Sequence, residues 1–121
     1  MNKEDFIRKW YNSFPENIEP YEIQQNIIED HIRDFEEGDI ADRLFKFKSY
    51  KKQIVFLAKI RGGQWNINEQ KVARFKNKIL NNEIPFPIVY DKRKASIIDG
   101  SHRYEAFKEL NFEQVVCYIG Q

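Results

Sequence analysis

The sequence predicts an α+β fold, with two or three helices followed by a β-α-β-β-α-β run. Three observations carry that prediction. Apolar residues recur at helical spacing as far as about residue 47. At residue 53 the pattern changes to a continuous run of β-branched and aromatic residues. The second half then contains two short apolar segments joined by the polar turn Asp91-Lys92-Arg93-Lys94.

The elements follow in order. Residues 5–14 place Phe6, Ile7, Trp10, Tyr11 and Phe14 on one helical face, and Pro15 ends that helix. From Pro20, the residues Ile23, Ile27, Ile28, Ile32 and Phe35 make one stripe of a second helix, stopped near Gly38. Residues 39–47 predict a short third helix carrying Ile40, Leu44 and Phe45. Residues 53–60 are too short for a long helix and predict a buried strand, broken at Gly62-Gly63. Asn66 is the expected N-cap of a helix over 67–82 with Val72, Phe75, Ile79 and Leu80 inward. Residues 86–90 and 95–98 predict a hairpin, 102–110 a helix and 114–119 a last strand. A boundary near residues 48–52 divides an acidic helical extension, 1–50, from a mixed domain, 51–121.

A chain of 121 residues, 41% of them hydrophobic and 15% aromatic, has the material for one compact core and is not of disordered type. The net charge of +1 gives no overall field announcing a nucleic-acid binder. That small net charge hides an asymmetry. Residues 1–50 hold 7 Lys/Arg and 12 Asp/Glu (net −5), and the remainder hold 13 and 7 (net +6). The acidic run over 29–39 reads as a solvated helix face or as a surface for a basic protein partner, and anionic ligands belong with the second half. No apolar run approaches the ~20 residues of a membrane helix, and the charged start, Met1 to Asp5, is unlike a secretory signal. Cys117, the single cysteine, excludes an intrachain disulfide and fits a reducing compartment, so a cytoplasmic protein with no membrane contact is expected. His31 and His102 make no zinc cluster without carboxylates, and no metal ligands are assigned. Walker-type, nucleophile-elbow and His-Glu-x-x-His motifs are absent.

The most informative stretch is Asp99-Gly100-Ser101-His102-Arg103, where a strand turns directly into a helix. Gly100 permits an unusual backbone angle and close approach of a ligand. Ser101 is placed to cap the helix. The first-turn N–H groups and the helix dipole favour an anion there, and His102 and Arg103 add cationic donors. These are the parts of a phosphate pocket at a helix N-terminus. The bland reading is ordinary turn chemistry beside surface His and Arg.

These residues resemble the signature of the ParB/sulfiredoxin-like superfamily, whose members include the ParB nucleotide-binding domain, sulfiredoxin and the free serine kinases. The resemblance extends upstream: residues 54–60, 62–65, 67–80 and Pro87-Ile88-Val89 match its strand, loop, helix and Pro-Ile/Val strand, and it spans roughly 53–119. It implies a nucleotide-binding domain in which Gly100, Ser101, His102 and Arg103 cradle phosphates and Lys71 reaches the nucleotide. Lys71, Arg74 and Lys78 share one helix face, which is otherwise a solvated basic flank. Ser101 stands where a sulfiredoxin has its reactive cysteine, so sulfiredoxin chemistry is not expected. Cys117 falls in a predicted strand and reads as a core residue. Only Gln121 follows the last strand, so a complete partition protein with a downstream DNA-binding part is not expected either. The Asp-Gly-X-His-Arg form is nearest the free serine kinases.

Three functions compete on this sequence. The first is a nucleotide-binding enzyme that hydrolyses a nucleoside triphosphate (ATP or CTP) or transfers its phosphoryl group with Mg²⁺. Asp99 and His102 are its candidate catalytic residues, although Asp99 reads equally as a residue bridging the turn, and Glu69 is a weaker carboxylate. The second is a non-catalytic interaction module, of the kind a phage or mobile element encodes, binding a protein through the acidic helices. The third, less favoured, is a nucleic-acid binder or nuclease using Lys51, Lys52, Lys59, Arg61, Arg74, Lys76, Lys92, Arg93 and Lys94, with Trp65 or Tyr90 stacking on bases.

Overall fold

The computed structural model describes residues 1–30, 37–61 and 67–121, with the side chains of 28–30 and 37–40 left aside. The readings that involve His31, Ile32, Phe35, Gly62, Gly63, Trp65 and Asn66, and most of the acidic run over 29–39, lie outside the described residues. The elements are α1 (Lys3–Asn12), β1 (Asn17–Ile18), α2 (Pro20–Asp30), α3 (Glu37–Leu44), β2 (Tyr50–Phe56), a short 3₁₀ turn (Leu57–Lys59), α4 (Glu69–Leu80), β3 (Ile88–Asp91), β4 (Ser96–Asp99), α5 (Ser101–Glu109) and β5 (Gln114–Gly120). The fold is mixed α+β, as the sequence predicts. The five strands form one sheet in the order β1-β2-β5-β3-β4. Among these strand pairs β3–β5 is the parallel one, and a single parallel bridge joins Arg61 to Ser96.

β5, like β3, is buried on both faces. Its residues Val115, Val116, Cys117, Tyr118 and Ile119 are all buried, which accounts for its unbroken apolar sequence. The expected buried strand over 53–60 is corrected in two ways. It begins at Tyr50, where pairing with Gly120 starts, and gives way at Leu57 to a 3₁₀ turn. Beyond the two residues of β1 it has no outer partner among the described residues, so Ile54 and Phe56 are exposed. Gly38 lies inside α3 rather than ending α2, and Phe45 and Leu80, expected inward, are exposed.

Residues 1–50 are not merely appended. β1 joins the sheet, and α1 contributes Phe6, Ile7 and Trp10 to the core that holds Phe107, Val115 and Cys117. Asn2 caps α1 through a bond from the Asp5 N–H. At the other end of α1, the buried Lys52 donates to the carbonyls of Tyr11 (2.5 Å) and Phe14 (2.6 Å), where the helix leaves acceptors unpaired. Lys52 is therefore a helix-end clamp and not part of a nucleic-acid surface. Burial pushes the Cys117 thiol up to about 12, so the cysteine is an inert core residue. No helix among the described residues is long and apolar enough to cross a membrane.

Candidate functional site

The turn between β4 and α5 is built from its sequence inside out. Gly100 is the N-cap of α5 and has φ +108°, a conformation that side chains resist. It is required for a second reason. A Cβ at this position would lie 2.7 Å from Nη2 of Arg103, whose guanidinium sits against the turn. Arg103 itself is buried, 2% exposed. Its Nη2 donates to Oδ2 of Asp99 (3.1 Å) and to the carbonyl of Pro87 (3.2 Å), while its Nε has no partner. One guanidinium thus ties the end of β4, the first turn of α5 and the segment entering β3. The expected fork from Arg103 to phosphate is corrected: the side chain is the floor of the turn. Asp99 answers it as the other half of a clasp, with its side chain 11% exposed.

Gly100→Ala should accordingly lower stability by about 2–3 kcal/mol, from the unfavourable backbone angle plus displacement of Arg103. Urea denaturation measures this. A loss below about 0.5 kcal/mol would mean the turn readily relaxes.

Ser101 is the first residue of α5 and half-buried, and it does not cap the helix as expected, because Gly100 occupies the cap position. α5 therefore starts without a side-chain cap, whereas Asn68 caps α4 by accepting from the N–H groups of Gln70 and Lys71. His102 faces that second helix. Its Nε2 accepts from the backbone N–H of Asn68 at 3.1 Å, which requires a ring nitrogen without its proton at that position. The N-termini of α4 and α5 are consequently held side by side, with Lys71 in the first turn of α4. A further tie is the 3.3 Å ion pair between Lys76 and Glu109.

Of the expected site residues, Gly100, Ser101, His102 and Lys71 are gathered where the two helices begin, and Asp99 and Arg103 lie beneath them. Arg74 and Lys78 are exposed further along α4. The residue missed was Asn68. The expected cap was Asn66, a residue of the type that helix N-caps prefer. Asn68 caps instead, its side chain accepting from Gln70 and Lys71 while its own N–H is tied to His102. Among the described residues no group of three His, Cys, Asp or Glu side chains is placed to hold a metal.

No protein-family model and no curated protein matches the chain. Among solved structures it is similar to the C2221 form of the Pnob8-like ParB-N domain, at 21% identity over 58% of this chain and 29% of that one, with a TM-score of 0.47. It is similar also to the pNOB8-like ParB N-domain, at 22% identity over 60% of this chain and 28% of that one, with a TM-score of 0.44. The chain thus matches less than a third of the length of either structure.

Proposed function

We propose that the chain binds a nucleoside triphosphate, ATP or CTP, with the phosphates at the first turn of α5, and that this binding serves phosphoryl transfer or hydrolysis. One observation carries the reading: α5 begins on a positive-φ glycine with no side-chain cap, and its N-terminus is docked against that of α4. Two helix dipoles and the first-turn N–H groups of α5 then favour one anion, those of Gln70 and Lys71 in α4 being taken by Asn68. Lys71 supplies a cation for it. The Asp99–Arg103 clasp positions the turn and does not touch the ligand. His102 orients the two helix starts through Asn68. Magnesium would enter with the triphosphate, its ligands chiefly phosphate oxygens and water, because Asp99 is held by Arg103 and, among the described residues, no group of three candidate ligand side chains is placed to hold a metal.

The test is thermal unfolding with ATP, ADP or CTP, each with and without Mg²⁺. A ligand at about 100 times its dissociation constant should add ~2.7 kcal/mol. Ser101→Asp should abolish that gain by placing a carboxylate at the phosphate position. The same substitution should leave the unliganded protein as stable or up to about 1 kcal/mol more so, because the charge complements the helix dipole. Absence of any shift in the unaltered protein, or a full shift in Ser101→Asp, overturns the reading.

A further inference from the structure

We infer that the end of the sheet opposite Gly100 is a binding surface for single-stranded nucleic acid. β4 runs from Ser96 at the hairpin tip to Asp99 at the Gly100 turn, so this surface is separate from the nucleotide site and does not depend on it.

Three contacts assemble the surface from segments that are distant in sequence. Arg43 Nη2 donates to Oγ of Ser96 (2.7 Å) and to the carbonyl of Ile97 (3.0 Å), fixing α3 to β4. The hydroxyl of Tyr50 donates to the Leu44 carbonyl at 2.7 Å, closing the loop between α3 and β2. Phe47 then packs where a Cβ on Gly120 would stand, and carries the Arg93 guanidinium 4.5 Å from its ring centroid. The hairpin tip is thereby seated on the 45–49 loop. Asp91 shapes the tip from inside, its buried Oδ1 accepting from the N–H groups of Arg93 and Lys94.

The result is a concentration of charge unlike the nearly neutral whole. Lys46, Lys48, Lys92, Arg93 and Lys94 are all exposed, Arg93 lying also 3.7 Å from the Asp91 carboxylate. Between residues 43 and 51 there is no acid, and on the hairpin tip the one acid, Asp91, is buried and committed to the turn; Glu37, Asp39 and Asp42 lie earlier on α3, and Asp99 at the far end of β4. Lysines spread over an anchored surface suit a chain of phosphates, whose binding depends on the number of charges neutralised. Beside them Phe45 is 51% exposed although it follows directly on α3. An exposed aromatic ring within a cationic surface offers a stacking partner to an unpaired base. An acidic polypeptide has no such planar group as a rule, and a duplex hides its base faces, so single-stranded nucleic acid fits both features.

The experiment is fluorescence anisotropy of a labelled oligothymidylate of about 12 nucleotides titrated with the full chain in about 50 mM salt. Saturable binding is expected, weakening about 50-fold by about 200 mM salt if roughly four phosphates are neutralised. The exposed double charge reversal Lys92→Glu with Lys94→Glu should weaken binding at least about tenfold at an unchanged unfolding temperature. Phe45→Ala should weaken single-strand binding at least about fivefold and leave binding of a duplex of the same length unchanged. Lack of binding at about 100 µM protein, or full binding by the charge-reversed variant, overturns the inference. So does displacement of the oligonucleotide by polyglutamate of equal charge as readily as by unlabelled oligonucleotide, which would assign the surface to an acidic protein instead.

Discussion

Arg103→Ala is expected to lower the free energy of unfolding by about 3–5 kcal/mol, because it strands the Asp99 carboxylate against a desolvated cavity. The expectation rests on geometry. Arg103 is 2% exposed, and its two bonds from Nη2 join Asp99 to the Pro87 carbonyl. Removing the guanidinium leaves both acceptors without their donor and opens a void beneath Gly100. Asp99→Asn keeps the shape but leaves the guanidinium without its counter-charge, and should also destabilise. The double variant Arg103→Ala with Asp99→Asn should lose less than the sum of the single losses, since each single change already breaks the same pair. Chemical denaturation of the four proteins measures the coupling. A loss below about 1 kcal/mol for Arg103→Ala would show the guanidinium to be solvated, and the expected phosphate contact would return.

That result bears on what a short signature conveys. In Asp99-Gly100-Ser101-His102-Arg103 the turn, the positive backbone angle and the strand-to-helix change were all legible, because glycine and the switch of periodicity leave local marks. The direction of the side chains was not. Arg103 reads as a surface cation from its type, and it points inward because Asp99 and the Pro87 carbonyl, sixteen residues away, meet there. His102 reads as a phosphate donor, and in the fold its Nε2 accepts from Asn68, thirty-four residues distant. The element order was legible through the apolar patterns. The two-residue β1 was not, since a strand so short has no period and exists because the Lys52 N–H bonds to the Glu16 carbonyl. Likewise, Ile54 and Phe56 match a buried strand in composition, but exposure depends on which strand lies alongside, and only the first residues of β2 receive one. The two proposed surfaces divide along the same line: glycine and polarity mark the first, and only the contacts from Arg93 to Phe47 and from Arg43 to Ser96 bring the second together.

Trp10 decides whether the acidic first half is an accessory or part of the folding unit. Trp10 is fully buried, and its indole stacks on Phe107 of α5 with centroids 4.6 Å apart and planes within 12°. Phe6 meets Phe107 and Phe112 in the same cluster. Trp10→Ala should therefore lower stability by about 3–5 kcal/mol, the range for emptying a large aromatic site in a core. Trp10→Phe keeps a ring against Phe107 and removes an indole N–H that has no partner, so it should recover most of that loss. The informative readout is the shape of unfolding as well as its midpoint. If α1 and the sheet form one cooperative unit, near-ultraviolet and far-ultraviolet signals of Trp10→Ala shift together to lower denaturant. Two separated transitions, with the sheet unfolding as in the unaltered protein, would show that residues 1–50 fold onto a domain already stable without them, and would restore the boundary expected at residue 50.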